Sequence, residues 1–407
     1  MATGGELLKR CPGVVGELAR AIDAHITNFS EPLIALSAAF CAVGALRSGY
    51  FTKHGIDSHA YHVIIARAGL GKSRAQSCIE RICEACDEQR LITGDSTSEH
   101  ALLIALQTYN RRVILIDEIG RMFEQVALDR GGFKQEMMSA LLKVYSCAGS
   151  RYYGKNYVGK SQIIVERPLV SLYGTSTHHS FFAGMTPRLA YDGMVSRMFL
   201  WFEDGESEIM RLSKDLIIPQ ALIDEAELLR DSKGSGNLHV VESREIVTPA
   251  RWDSVIYEID LLVRSKRDTL ESAVYARYKE QFIKLCLALC DSDGVLDTAG
   301  FVAAQELIDY LIDDTLNRCR EHLGQTDNDI RANSLAGQIL KYIEAETAKT
   351  GLVTSSAVCR KFQRAKARDL ALQELVDQER VFRIVQGRQK WYTSTRPELP
   401  DELAADN

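Results

Sequence analysis

Residues 61–73 read YHVIIARAGLGKS. The β-branched run 62–66 predicts a buried strand, and the residues after it have the spacing A-x-x-G-x-G-K-S of a phosphate-binding loop with alanine at the usual first glycine. Glycines let successive backbone N–H groups face the phosphates, and the helix that follows points its positive end at the anion. The segment therefore predicts a nucleoside triphosphate site. The residues assigned to the nucleotide are Ala66, Gly69, Gly71, Lys72, Ser73 and Arg74.

Two side chains of this loop carry separate chemistry. Lys72 is expected to contact the β and γ phosphates, and the Ser73 hydroxyl is expected to coordinate Mg²⁺. ATP and Mg²⁺ are therefore the predicted ligands. The alternative is a chance Gly-Lys-Ser sequence at an ordinary turn from strand to helix.

An acidic pair follows the next apolar strand, Val113–Ile116. Asp117 and Glu118 stand at its carboxyl end, and ligands in open α/β sheets bind at that edge. Asp117 suits the Mg²⁺ shell, and Glu118 suits the general base that activates the attacking water. The alternative is an acidic pair that merely ends a core strand.

A third strand ends in hydroxyl side chains, Thr175 and Ser176. Either is a candidate sensor of the γ-phosphate or of the attacking water, with Thr175 placed first, against the alternative of an ordinary strand-end cap. Arg197 stands immediately before a fourth apolar run and is the candidate arginine finger, which stabilises transition-state charge in a neighbouring subunit. Arg188 is its rival, and a surface arginine that caps or pairs is the alternative.

Apolar runs alternate with helical patterns between residues 61 and 204, which predicts a parallel sheet covered on both faces. The fold expected is α/β, a RecA/AAA-like P-loop NTPase core with N-terminal helices, a helical lid and a C-terminal winged helix. Between the first two strands, the Ser-x-x-Glu spacing of Ser96 and Glu99 predicts a capping box that starts a helix. The predicted strands are 62–66, 113–116, 169–173 and 198–202. The predicted domains are an N-terminal helical element (1–60), the ATPase core (61–204), a linker and helical lid (205–330), the winged helix (331–395) and an acidic tail (396–407).

The last domain is predicted from its element order. A polar break at 324–328 precedes three helical patterns, at 335–348, 355–362 and 365–378, and two β-like runs follow them. Helix, helix, helix and hairpin is the order of a winged helix, a variant of the helix-turn-helix.

This domain is also the basic part of an acidic chain. The whole sequence carries 49 Lys and Arg against 55 Asp and Glu, whereas residues 354–393 carry nine basic and four acidic residues, a net charge of 9 − 4 = +5. Such a module is suited to a phosphate backbone, and the alternative is a protein-interaction domain with a solvated basic face. The residues expected to contact nucleic acid are Arg364, Lys366, Arg368, Arg388 and Lys390.

Basic and aromatic residues also interleave at 151–160, around two glycines. A hairpin here is expected to project into the channel of a ring, with Lys155 and Lys160 on phosphates and Tyr157 stacking on bases. The alternative is an ordinary surface hairpin.

Composition sets the remaining limits. The chain of 407 residues is 46% hydrophobic and 26% charged, which excludes a mostly disordered chain. No apolar run reaches the roughly 18 residues of a membrane span, and the first ten residues, MATGGELLKR, do not read as a secretory signal. The ten cysteines are expected to be reduced thiols. We therefore expect a cytoplasmic protein with no membrane partner.

The order of these motifs resembles a known family. It includes ILIDEIGRMF, ALLKVYSCAG, PLVSLYGTST and DGMVSRMFLWF. Over residues 30–325 the chain is similar to a family of phage and mobile-element P-loop ATPases whose members are usually interpreted as primase-helicase motor domains. The resemblance implies that Lys72, Ser73, Asp117 and Glu118 form the catalytic set and that Arg197 is the finger.

The resemblance implies an ATP-driven motor on single-stranded DNA, a replicative helicase. It also implies a homo-oligomer, with six subunits as the number expected from the family. No primase region precedes the motor, so a separate primase or polymerase is the expected partner. Two alternatives remain open. One is a helicase loader or recombination ATPase that remodels protein partners, and the other is an ATP-dependent DNA-binding switch.

Overall fold

The structure, a computed structural model, describes residues 2–395 except 27–29, 48–51, 53–54, 95–97, 129–131, 149, 157–160, 186–192, 206–217, 232–244, 267–269, 334, 363–364, 378–379 and 387–388. The chain divides into two compact units, residues 1–318 and 319–407. The sequence, by comparison, predicts that the winged-helix domain begins at residue 331.

The first unit is built on a parallel sheet of five strands in the order β2-β3-β6-β1-β7. The strands β1, β3, β6 and β7 are almost completely buried, as expected for a parallel sheet covered by helices on both faces. The four predicted strands are confirmed, and each is longer than its predicted run. The strands are β1 (Tyr61–Ala66), β2 (Ile92–Thr93), β3 (Arg111–Ile116), β6 (Leu169–Ser176) and β7 (Met198–Glu203).

Helices cover the two faces of this sheet. On one face α3 contacts β1, β3, β6 and β7 and packs against α4, and α3 is buried on all sides because nearly all of its side chains are apolar or small. On the other face α6 contacts α7, α8 and β6. The helices up to this point are α1 (Gly4–Arg10), α2 (Gly13–Ile26), α3 (Pro32–Leu46), α4 (Lys72–Ala85), α5 (Glu99–Thr108), α6 (Ile119–Leu128), α7 (Phe133–Ser146) and α8 (His178–Gly184).

The strand order places a topological switch point in the sheet, between β6 and β1. The chain leaves β1 through α4 toward β2, on one side, and leaves β6 through α8 toward β7, on the other. Adjacent strands whose connections run in opposite directions form a topological switch point, where open α/β sheets bind ligands. The architecture is thus a mixed α/β unit compatible with a Rossmann-like or RecA-like core.

Further elements complete the first unit. The short strands β4 (Arg151–Tyr153) and β5 (Ile164–Glu166) pair antiparallel. The later helices are α9 (Gln220–Asp231), α10 (Trp252–Ser265), α11 (Leu270–Tyr275) and α12 (Tyr278–Leu289). They are followed by α13 (Thr298–Asn333), within which the boundary between the two units falls.

The second unit has its own buried core. Ile339, Ile343, Val358 and Leu375 belong to one apolar cluster together with Tyr392. The three strands form a sheet in the order β8-β10-β9, with antiparallel pairing. Its elements are α14 (Leu335–Thr350), β8 (Val353–Thr354), α15 (Ser355–Lys361), α16 (Ala365–Asp377), β9 (Phe382–Gln386) and β10 (Gln389–Thr393).

Two local predictions were wrong. The helix predicted from a capping box at Ser96 begins at Glu99, and its N-cap is Ser98, whose side chain accepts a hydrogen bond from the backbone of Ala101 at 3.2 Å. The polar stretch 324–328 does not end a helix, because it lies inside α13. A lone glycine costs a helix only about 1 kcal/mol relative to alanine, and the segment contains no proline.

None of the helices within the described ranges combines the length and the apolar character needed to cross a membrane.

Candidate functional site

The loop after β1, residues 66–73, is called the glycine loop below. Gly69 and Gly71 adopt φ angles of +89° and +84°, a conformation that glycine adopts at no steric cost and other residues rarely adopt. The Lys72 ammonium lies across this loop, donating to the carbonyl oxygens of Ala66 at 2.8 Å and Arg67 at 2.7 Å. The loop is thus curled around the amino group of its own lysine.

The glycine loop leads directly into α4. Gly71 is the N-cap and provides no side-chain cap, so the amino end of this helix is not covered by its own cap residue. Ser73 and Arg74 both lie exposed in the first turn. Because backbone N–H groups and the helix dipole favour anions at such an end, the geometry suits a phosphate.

The acidic pair meets the end of β6 through one hydroxyl. Thr175 is fully buried, and its Oγ1 donates to Asp117 Oδ1 at 2.6 Å while accepting from the Glu118 backbone N–H at 3.2 Å. Ser176 is directed elsewhere and donates to the carbonyl oxygen of Thr177. Of the two predicted sensor candidates, the structure therefore brings Thr175 to the acidic pair.

Glu118 has an unusual backbone. Its φ angle is +51°, a left-handed conformation that costs a non-glycine residue of order 1 kcal/mol or more. The backbone N–H of Glu118 also lies 3.1 Å from Asp117 Oδ1. Its half-exposed carboxylate forms an ion pair with Arg121, three residues later on α6. Arg121 was missed by the sequence analysis, although the acid-to-base spacing of three residues was a readable signal.

The electrostatics place the glycine loop and the acidic pair close together. Burial lowers the pKa of Lys72, and the negative charges of Asp117 and Glu118 oppose this shift. The lysine therefore stands within the field of both carboxylates. A phosphate bound here would pair with Lys72, and a divalent cation beside it would pair with the two carboxylates.

The side chains present fit a hydrated Mg²⁺ ion. Magnesium prefers oxygen ligands and retains several waters. The Ser73 hydroxyl in the first turn of α4 and the Asp117 carboxylate after β3 are oxygen donors at the carboxyl edge of the same sheet. Asp117 is exposed, and one of its two oxygens, Oδ1, is engaged by Thr175. The donor chemistry is thus that expected for Mg²⁺ held by one carboxylate and one hydroxyl.

Arg197 lies at the amino edge of the sheet, whereas the glycine loop lies at the carboxyl edge. It ends a short 3₁₀ turn, Val195–Arg197, and β7 begins at the next residue, which is paired with Tyr61 at the start of β1. The glycine loop begins five residues later, at the far end of β1. Arg197 stands one residue before the paired position, so six residues of strand, about 20 Å, separate it from this loop. Arg197 is therefore too distant to contact a phosphate on its own glycine loop.

The predicted hairpin is present as β4 and β5, but its lysine is already paired. Lys155 forms ion pairs with Glu99 at 3.1 Å and Glu136 at 2.7 Å. Hydrogen bonds to these carboxylates raise the pKa of Lys155 well above its usual range. The expectation that this hairpin contacts single-stranded DNA stays a prediction.

In the second unit, Arg368 is used internally. It is 9% exposed, forms an ion pair with Asp369 and donates to the carbonyl oxygen of Phe362. Arg368 lines a cavity of about 360 Å³ together with Lys390 and Arg383, both of which are exposed. Arg383 was not among the predicted contacts. The DNA contacts themselves stay predictions.

Several predicted residues lie outside what the structure describes. They are Tyr157, Lys160, Arg188, Arg364 and Arg388, together with the side chain of Lys366.

A further charged cluster stands at the carboxyl end of β7. Asp204 forms an ion pair with Arg318 and lies 3.6 Å from His178 Nε2. Its pKa is lowered, chiefly by the hydrogen bond from Arg318. This edge of the sheet also carries the glycine loop, since Ala66 pairs with Glu203. The sequence analysis missed this cluster because its members come from distant segments.

Comparison with models of protein families finds no match, and comparison with curated proteins finds no similar sequence. Function is therefore inferred from the geometry of the site.

Proposed function

We propose that this protein is a P-loop ATPase that hydrolyses ATP with Mg²⁺ and acts as a motor on single-stranded DNA. One observation carries the ATPase proposal: the glycine loop at the end of β1 faces an acidic pair whose Asp117 is held by Thr175 of the intervening strand β6. Phosphoryl transfer requires mainly positioning and charge neutralisation, and these groups provide both.

Each group of the site has one role in this proposal. Lys72 moves from its loop carbonyls to the terminal phosphates, and the first turn of α4 contributes backbone N–H groups. Ser73 and Asp117 hold Mg²⁺, which neutralises charge on the phosphates when bound. Glu118 orients the attacking water and accepts its proton. Thr175 fixes the orientation of Asp117 and of the Glu118 backbone.

The DNA proposal rests on the second unit and on the resemblance to primase-helicase ATPases. The element order of α14, α15, α16 and the β9–β10 hairpin supports a winged helix. Its exposed cations, Arg383 and Lys390, supply charge for a phosphate backbone.

The ATPase proposal is tested with steady-state ATP hydrolysis. We expect Glu118→Gln to lower kcat at least 100-fold while ATP binding persists, because the variant keeps the size of the side chain and removes its basicity. Lys72→Ala is expected to abolish activity by weakening contact with the phosphates. The matched control is Glu17→Gln, on the exposed face of α2, which is expected to keep full activity. Unchanged hydrolysis in Glu118→Gln would contradict the assignment of the base.

The motor is tested with unstructured single-stranded DNA. We expect it to stimulate the hydrolysis several-fold. A DNA-binding switch is the second candidate, favoured by one observation: Lys155 of the hairpin is paired with two carboxylates, whereas Arg383 and Lys390 of the second unit are exposed. A switch predicts duplex binding that survives Glu118→Gln and hydrolysis that is indifferent to single strands.

A further inference from the structure

A second arginine stands beside Arg197. Arg277 is the N-cap residue of α12, and its Nη2 lies 3.4 Å from Ser146 Oγ, the same atom that Arg197 Nη2 approaches at 3.4 Å. We call Arg197, Arg277 and Ser146 the two-arginine site. Both guanidinium groups are half-buried, and Ser146 is exposed. The site is therefore open to a ligand from outside the chain.

The two cations oppose each other electrostatically. Burial lowers the pKa of Arg197, and the neighbouring charge of Arg277 lowers it further. Arg277 forms an ion pair with Glu280. Within the described ranges no carboxylate forms an ion pair with Arg197, although the charge of Glu280 raises its pKa. Its Nη1 donates to the carbonyl oxygen of Gly193 at 2.8 Å. An anion placed against both guanidinium groups would relieve their repulsion, and their planar forks suit the oxygens of a phosphate.

The backbone of Arg197 is held by α12. Gln281 is 2% exposed, and its Nε2 donates to the carbonyl oxygens of Ser196 at 3.1 Å and Met198 at 2.9 Å. These two carbonyls flank Arg197, so a single buried carboxamide fixes the chain on both sides of it. The same helix thus presents Arg277 and positions Arg197.

A buried lysine anchors α12 to the sheet. Lys284 is 4% exposed and approaches Asp57 Oδ1 at 3.4 Å, and it also donates to the carbonyl oxygen of His59. Burial alone would raise the pKa of Asp57, but the charge of Lys284 together with the hydrogen bonds and charge of His59 outweighs it and lowers the pKa to about 2. Since residues 57–59 lead into β1, the two-arginine site is fixed to the amino edge of the sheet.

We propose that Arg197 and Arg277 together bind the terminal phosphate of ATP held by the glycine loop of a second copy of this chain, with Gln281 as the positioning residue. This inference rests on the proposed ATPase function. Arg197 lies about 20 Å along the strands from its own glycine loop, so a second copy must supply the phosphate. Arg277 is then a catalytic residue that no sequence motif marks.

The trans arrangement is tested by mixing two inactive variants, Lys72→Ala and Arg277→Ala. In equal mixture, one interface in four joins an intact glycine loop to an intact two-arginine site, so we expect about a quarter of wild-type hydrolysis. Activity no higher than the mean of the separate variants would overturn the proposal. A wild-type protein that hydrolyses no ATP would overturn the ATPase function itself, which distinguishes the two failures. Arg277→Gln, which keeps much of the side chain and removes the charge, is the second variant if Arg277→Ala does not fold.

Gln281→Met tests the positioning role, because methionine keeps the volume and removes the two donated hydrogen bonds. We expect kcat to fall about 10-fold, as one transition-state contact is loosened. KM for ATP is expected to change less than about two-fold, since Gln281 is remote from the glycine loop. The control is Gln107→Met on the exposed face of α5. A rise in KM with unchanged kcat, or equal effects in both variants, would overturn the positioning role.

Discussion

At the scale of single residues, Glu31 is the least satisfied carboxyl group in the described part of the chain. It is 1% exposed, and neither carboxylate oxygen has a hydrogen-bond partner among the described atoms. Burial, followed by the negative charges of Glu203 and Asp23, raises the pKa of Glu31 to about 8. The folded state therefore retains a proton that the unfolded chain releases near pH 4.3.

Because the pKa of Glu31 is raised in the folded state, the stability of the protein falls as the pH rises. The contribution of neutral Glu31 to stability is fully present below about pH 4.3 and is lost as the pH rises to about 8. We expect the free energy of unfolding of the wild type to fall relative to Glu31→Gln by about 4 kcal/mol between pH 5 and pH 9. Urea unfolding at pH 5, 7 and 9 measures this difference. Glu17→Gln, in which an exposed carboxyl is removed, serves as the control, and parallel pH profiles for wild type and Glu31→Gln would refute the expectation.

At the scale of elements, local patterns were sufficient to locate the strands but not to order them. The apolar runs before the glycine loop and the acidic pair were readable because a buried parallel strand is almost continuously apolar. The insertion of β6 between β3 and β1 was not readable, because strand pairing depends on contacts distant in sequence. The hydrogen bond between Thr175 and Asp117 follows from that order. The cap of α5 was also not readable from the sequence. Ser96 and Ser98 both offer a suitable hydroxyl, so residue type could not decide between them, and Ser98 is the cap in the structure.

The packing of α6 against α8 depends on two glycines. A Cβ atom at Gly120 would lie 2.7 Å from the carbonyl carbon of Ser180 and 2.8 Å from the backbone nitrogen of Phe181. At Gly184 it would lie 2.7 Å from the carbonyl oxygen of Gly120. The two helix backbones are therefore in direct contact, and α6 is the helix that directly follows Glu118.

Alanine in place of Gly120 is expected to destabilise the protein, although alanine usually stabilises a helix relative to glycine. In an open helix, alanine stabilises by roughly 0.5–1 kcal/mol relative to glycine. Here Gly120→Ala is expected to lower the free energy of unfolding by about 1–3 kcal/mol, because the backbones must separate. Gly5→Ala in α1, where a Cβ atom meets nothing within 4 Å, is the matched control and is expected to be neutral or stabilising. Equal effects of the two variants in urea unfolding would disprove the close contact.

At the scale of the whole molecule, the two compact units each contain a buried core. Leu172 of β6 is fully buried in the first unit, and Leu375 of α16 is 3% exposed in the second. We expect calorimetry of the full chain to resolve two unfolding transitions. Leu375→Ala is expected to lower only one of them, by roughly 10 °C, since a buried leucine contributes about 2–5 kcal/mol and the second unit is small. Leu172→Ala is expected to lower only the other. A single transition that both variants shift together would mean that the two cores unfold as one. ATP binding at the glycine loop would then stabilise the second unit as well.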